Sequence, residues 1–194
     1  PLKKFPPGDD RKAAEWVLSV GGSVRILGSD KIIVDAADLP RGRFEITGVY
    51  LEFTSTNRPK SPIDNFLPLA GLNGLMRLNV RNVPATEAHW EILPSLPSLA
   101  SLLMERTGAT DAVFAPLAAT EIKTLDLNYE TMLTGEGFEA LRAVKNLEKL
   151  IMNDALLTEE GLRQIGRLES LSFLALSGSG NKLRDEHLPL LAGL

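Results

Sequence analysis

The chain has 194 residues, 44% hydrophobic and 24% charged, with a net charge of -4 and no cysteine. That balance suits an ordered domain with a sizeable core and argues against disorder. Its Lys and Arg residues are scattered among acids and so form no stripe that would track a nucleic-acid backbone, and without cysteine there are no disulfides, thiolate metal sites or Cys nucleophiles.

In chain order, the Pro-rich start at residues 1–8 (PLKKFPPG) is expected to be a linker. No apolar run is long enough to span a bilayer, so no membrane insertion is expected in this segment. A signal peptide or anchor ahead of Pro1 would make the segment extracytoplasmic. Asp9 and Asp10 open a helical pattern with Ala13, Trp16, Val17 and Val20 on one face, and Gly21 and Gly22 stop it. Residues 24–27 and 31–35 are predicted as two strands joined by the turn at Gly28, Ser29 and Asp30. Residues 9–43 are therefore expected to be an N-terminal cap of a helix and a hairpin. The first rung of an array covering residues 44–194 follows at Ile46, Val49 and Leu51, and the polar stretch 55–65 is expected to be a loop insertion.

From there the chain repeats. Thr86, Thr110, Thr134 and Thr158 stand 24 residues apart and open the similar phrases TEAHW, TDAVF, TGEGF and TEEGL, and RDEHL begins at Arg184. After each, apolar residues at intervals of three lead into a strand pattern L-x-x-L-x-L, as in Phe138, Leu141, Val144, Leu147, Leu150 and Met152. The copy running through Phe114, Leu117, Ile122, Leu125 and Leu127 is one residue short before its strand. A fixed period of this length means that each unit buries its apolar face only by stacking on its neighbours, with Leu78, Leu102, Leu125, Leu150 and Leu174 in one column.

These residues resemble the leucine-rich-repeat family, in particular its bacterial, ribonuclease-inhibitor-like class, over residues 44–194. The resemblance implies an α/β right-handed solenoid with a parallel concave sheet and a convex side of mixed helical and irregular segments. The family's usual Asn after the strand is replaced by Val83, Thr107, Ala155 and Ser179, so a full Asn ladder is not expected. Each Thr is expected to cap the outer segment that follows, with Glu87, Asp111 and Glu159 favouring its positive end. Pro94, Pro97 and Pro116 predict short or irregular outer segments after Thr86 and Thr110, and regular helices after Thr134 and Thr158.

No nucleophile, metal cluster or phosphate loop emerges, so neither cofactor nor metal nor catalytic residues are expected. His89 and His187 fall in the same phase of distant repeats and are predicted to be exposed structural residues. The Gly-rich piece at residues 177–180 (SGSG) lacks a following Lys and is expected to be a turn. Residues between the strand leucines point away from the core in three columns. These run Gly48, Arg77, Ser101, Thr124, Lys149, Phe173; then Tyr50, Asn79, Leu103, Asp126, Ile151, Ala175; then Glu52, Arg81, Glu105, Asn128, Asn153, Ser177. The charges of the third column are expected to satisfy one another.

Ile151, Phe173 and Ala175 form an apolar patch flanked by polar residues, which is either a contact surface or cover for a loop or neighbouring domain. The function implied is a non-catalytic protein-interaction module binding a protein partner through Asp126, Asn128, Lys149, Ile151, Asn153 and Phe173. The alternative is a rigid spacer or appendage of a larger enzyme or receptor. At the far end, Leu188, Leu191 and Leu194 open a rung that the sequence does not close, which predicts an incomplete array and self-association through that end.

Overall fold

The computed structural model describes residues 5–178 and 183–194. Residues 1–4 of the expected linker, and Ser179 and Gly180 of the SGSG turn, lie outside them. Among the described residues the chain is α/β, built on one open sheet of eight strands in the order β2-β1-β3-β4-β5-β6-β7-β8.

The first helix, α1 (Asp10–Ser19), starts where Asp9 accepts a hydrogen bond from the Lys12 amide at 3.1 Å. It buries Ala13, Ala14, Val17 and Leu18, and it stops at Val20 before Gly21, whose φ of 89° only glycine adopts readily. Asp10 ties the helix to the sheet by accepting from the Ile46 amide at 2.6 Å. Strands β1 (Ser23–Ile26) and β2 (Ile32–Ile33) pair antiparallel, so the hairpin is present but its second arm is shorter than the predicted 31–35. Strand β1 also pairs antiparallel with β3 (Ile46–Glu52) and thereby covers what would otherwise be a free edge.

From β3 onward all pairing is parallel: β4 (Arg77–Arg81), β5 (Ser101–Glu105), β6 (Thr124–Asn128), β7 (Lys149–Ile151) and β8 (Phe173–Ala175). The register places Val49, Leu78, Leu102, Leu125, Leu150 and Leu174 side by side. The first five are fully buried, whereas Leu174, on the edge strand, is only partly so. The 23-residue step from Leu102 to Leu125 keeps register, so the one-residue deletion is absorbed between strands.

The segments between strands lie against the other side of the core. After Thr86 comes the single turn α2 (Glu87–Trp90) and then a 3-10 turn, Leu93–Ser95, containing Pro94. After Thr110 a 3-10 turn leads into α3 (Phe114–Leu117), which admits Pro116 because first-turn amides have no partner within the helix. These are short, as the prolines predict, and α4 (Glu159–Ile165) after Thr158 is regular. The segment after Thr134 departs from expectation: Glu136–Ala143 is a 3-10 helix of eight residues. It rises about 2.0 Å per residue where an α-helix rises about 1.5 Å, so it spans the rung with fewer residues.

Threonine capping is also less uniform than the repeat suggests. Thr158 accepts from the amide three residues on, Gly161, at 3.1 Å, and Thr86 shares a capping box with His89, whose side chain accepts from the Thr86 amide at 3.1 Å. Thr110 makes no cap bond, and Thr134 stands one residue before the cap Gly135, whose φ is 82°. The work falls instead to Asp111, which reaches forward one rung to accept from the amides of Thr134, Gly135 and Gly137 and from the Thr134 hydroxyl. Asp111 was expected to favour its own helix start; it serves the next one.

Candidate interaction surface

One side of the sheet carries the leucine core. On the other stand the predicted columns, the first two in register from β3 to β8 and the third from β3 to β6, continued past the ends of β7 and β8 by Asn153 and Ser177, with β1 adding Arg25 opposite Gly48. All six predicted site residues described here lie on this open side. Asp126 pairs with Ile151 and Ile151 with Ala175, and Lys149 pairs with Phe173. Phe173 is 49% exposed, while Ile151 and Ala175 are half-buried. The Lys149 ammonium sits 4.6 Å from the centre of the Phe173 ring, a cation-π contact that holds the aromatic beside a charge.

Asn128 and Asn153 are drawn together, but by each other. Asn153 donates through Nδ2 to Asn128 Oδ1 at 2.8 Å, Asn128 donates to Asp126, and the Ser177 amide donates to Asn153 Oδ1 at 3.1 Å. Their amides thus form a ladder from rung to rung. In the same column Arg81 pairs with Glu105 at 2.9 Å, Arg106 also bonds Glu105, and Glu52 accepts from Asn79 at 2.7 Å rather than from Arg81. The third column is therefore largely satisfied internally. Burial, and then the nearby Glu105 carboxylate, push the Asp126 carboxyl above its ordinary value, against the pull of Lys149 and Arg81.

Behind the strands lies the feature that the sequence reading passes over. Tyr129, like Asn82, Arg106 and Asp154, holds positive φ just after its strand. The next residue, Glu130, stands in the position where Val83, Thr107 and Ala155 stand in other rungs, and it is fully buried. Its Oε1 accepts from the Thr107 amide at 2.7 Å and hydroxyl at 2.9 Å, and its Oε2 accepts from the Gly108 and Ala109 amides at 3.0 Å each. One glutamate thus gathers the turn of the preceding rung, as a ladder of asparagines would over several. Asn82 contributes a second such bond, to the Phe53 carbonyl at 2.6 Å.

Neither histidine is as exposed as its place in the repeat predicts. His89 is 5% exposed, not on the surface: its Nδ1 accepts from the Thr86 amide at 3.1 Å, its Nε2 lies 3.1 Å from the Ile63 carbonyl, and its ring meets Phe66 edge-on at 4.9 Å. The 55–65 insertion folds back over it and so buries it. His187 makes the same local bond, from the Arg184 amide at 3.2 Å, and is half-buried. Among the described residues no three His, Asp or Glu side chains are grouped to hold a metal ion, and no helix is long and apolar enough to cross a membrane. Set against protein-family models and curated proteins, the chain matches none.

Proposed function

We propose that the chain is part of a right-handed leucine-rich-repeat solenoid whose open, concave sheet face holds a protein partner without catalysis. The observation that carries this is the half-exposed Phe173 on the strand next to that of Ile151, on a face where the core needs neither. Such an aromatic anchor within a polar rim is what carries binding energy in protein interfaces. The 24-residue period and the in-register leucine column support the repeat reading. Lys149 lies over the anchor and Asp126 stands beside Ile151, while the Asn128 and Asn153 ladder stiffens the strands next to them.

The experiment is affinity capture on the immobilised chain, run in parallel with Phe173→Ala and Ile151→Glu. A partner held by the wild type and weakened about thirtyfold by Phe173→Ala supports the proposal. A partner held equally by all three overturns it, and one held only through other surfaces favours a spacer role. The same reading extends to self-association at the β8 end, where Leu188 is 64% exposed and, among the described residues, β8 pairs along one edge only.

A further inference from the structure

The first row of the open face carries basic groups toward both ends, arginines near β1 and, toward β8, Lys149, which acts on the Asp126 carboxyl. Through the β1–β3 register it extends the first column to Arg25, Gly48, Arg77, Ser101, Thr124 and Lys149. Gly48 matters here because it lets the Tyr50 ring lie over it: a Cβ at Gly48 would sit 2.9 Å from the Tyr50 hydroxyl. The hydroxyl is thereby brought into the row between Arg25 and Arg77, whose backbones are two strand spacings apart, roughly 10 Å.

Arg25, Tyr50, Arg77 and Ser101 line one cavity of about 220 Å³ that no carboxylate enters, and Arg77 and Ser101 continue into a second of about 500 Å³ where Lys123 and Lys149 stand among the carboxylates of Asp126 and Glu148. Arg25 Nε is buried with no hydrogen-bond partner, and neither Arg25 nor Arg77 forms an ion pair among the described residues. In a chain of net charge -4 whose third column neutralises itself, two unpaired guanidiniums beside a hydroxyl-lined cavity are a local exception.

We propose that this cradle of Arg25, Tyr50 and Arg77 binds carboxylate side chains of an extended acidic segment in the protein partner. Guanidinium forks match carboxylates with two parallel hydrogen bonds, and the tyrosine hydroxyl adds a third donor. From Arg25 to Lys149 the row spans about 24 Å, the reach of about seven extended residues. The inference rests on the interaction reading of this face and specifies the chemistry of what it takes.

The test is fluorescence anisotropy with labelled heptaglutamate, in low and moderate salt, on the wild type, Arg77→Gln, the Arg25→Gln/Arg77→Gln pair, Tyr50→Phe and the remote control Arg163→Gln. Saturable binding should weaken about tenfold for each guanidinium removed, the size of one charge-assisted hydrogen bond at a half-exposed site, and should be unchanged by Arg163→Gln. Arg77 is exposed, so Arg77→Gln keeps the test valid if the Arg25 variant fails to fold. Absent binding, or equal binding by wild type and the folded Arg77 variant, overturns the inference. So does capture of a neutral peptide bearing one phosphoserine when heptaglutamate is ignored. A partner lost by Phe173→Ala but retained at full affinity by Arg77→Gln would also sink the acidic cradle while leaving the interaction face standing.

Discussion

Glu130→Gln is the substitution that most directly tests how the rungs are held. The two side chains have nearly the same volume, so no cavity forms and the change is confined to hydrogen-bonding polarity. In the wild type four donors converge on two carboxylate oxygens at 2.7 to 3.0 Å. A glutamine presents one oxygen and one NH2 group. Placed with its oxygen toward Gly108 and Ala109, it turns the NH2 on Thr107, whose hydroxyl can rotate to accept but whose amide is orphaned. Placed the other way, it orphans two amides, so the first arrangement is favoured.

One orphaned buried amide costs about 1 to 3 kcal/mol, and weakening the remaining charge-assisted bonds adds about 1 kcal/mol. Relief from burying a charge opposes this, and would win only if the four bonds compensated that burial poorly. The expected loss is therefore about 2 to 4 kcal/mol. Urea unfolding followed by fluorescence of the buried Trp90 would measure it, with exposed Glu169→Gln as the control. Amide hydrogen exchange should show reduced protection at Thr107. A midpoint no lower than that of the control, with Thr107 still protected, would refute the argument.

Leu150→Ala, in the middle of the leucine column, should cost about 2 to 5 kcal/mol in urea unfolding, and Leu174→Ala on the half-exposed edge strand clearly less. Gly161→Ala should destabilise by about 1 to 3 kcal/mol, since the added Cβ would stand 2.2 Å from the Thr134 carbonyl oxygen and that backbone cannot yield; calorimetry would read it. Asp126→Asn should be more stable than wild type at neutral pH. The folded-state carboxyl is raised, so its ionisation weakens the fold, and the difference should shrink as acidification toward the ordinary aspartate range lets wild-type Asp126 take its proton. Urea unfolding across that pH range checks the sign. Leu188→Lys should reduce any concentration-dependent self-association seen in sedimentation equilibrium.

Spacing along the chain settles which residues share a rung position and which share a face. The spacing from Thr86 to Thr158 and the alternation within L-x-x-L-x-L are local and periodic, so they survive without any knowledge of contacts. They placed Leu78, Leu102, Leu125 and Leu150 in one column, and Lys149 beside Phe173. Where polar groups find partners one rung away is fixed only when the chain folds. Glu130 bonds residues 21 to 23 positions back, and Asp111 serves amides 23 to 26 positions ahead. Those pairings depend on the stacking offset, which the one-residue deletion before β6 shifts. His89 looked exposed because its cover comes from a loop outside the periodic pattern, and Arg25 joined the first column through an antiparallel strand that belongs to no repeat. Periodicity encodes what faces the core because every rung meets the same environment; hydrogen-bond partners differ from rung to rung, and so only the folded chain brings them together.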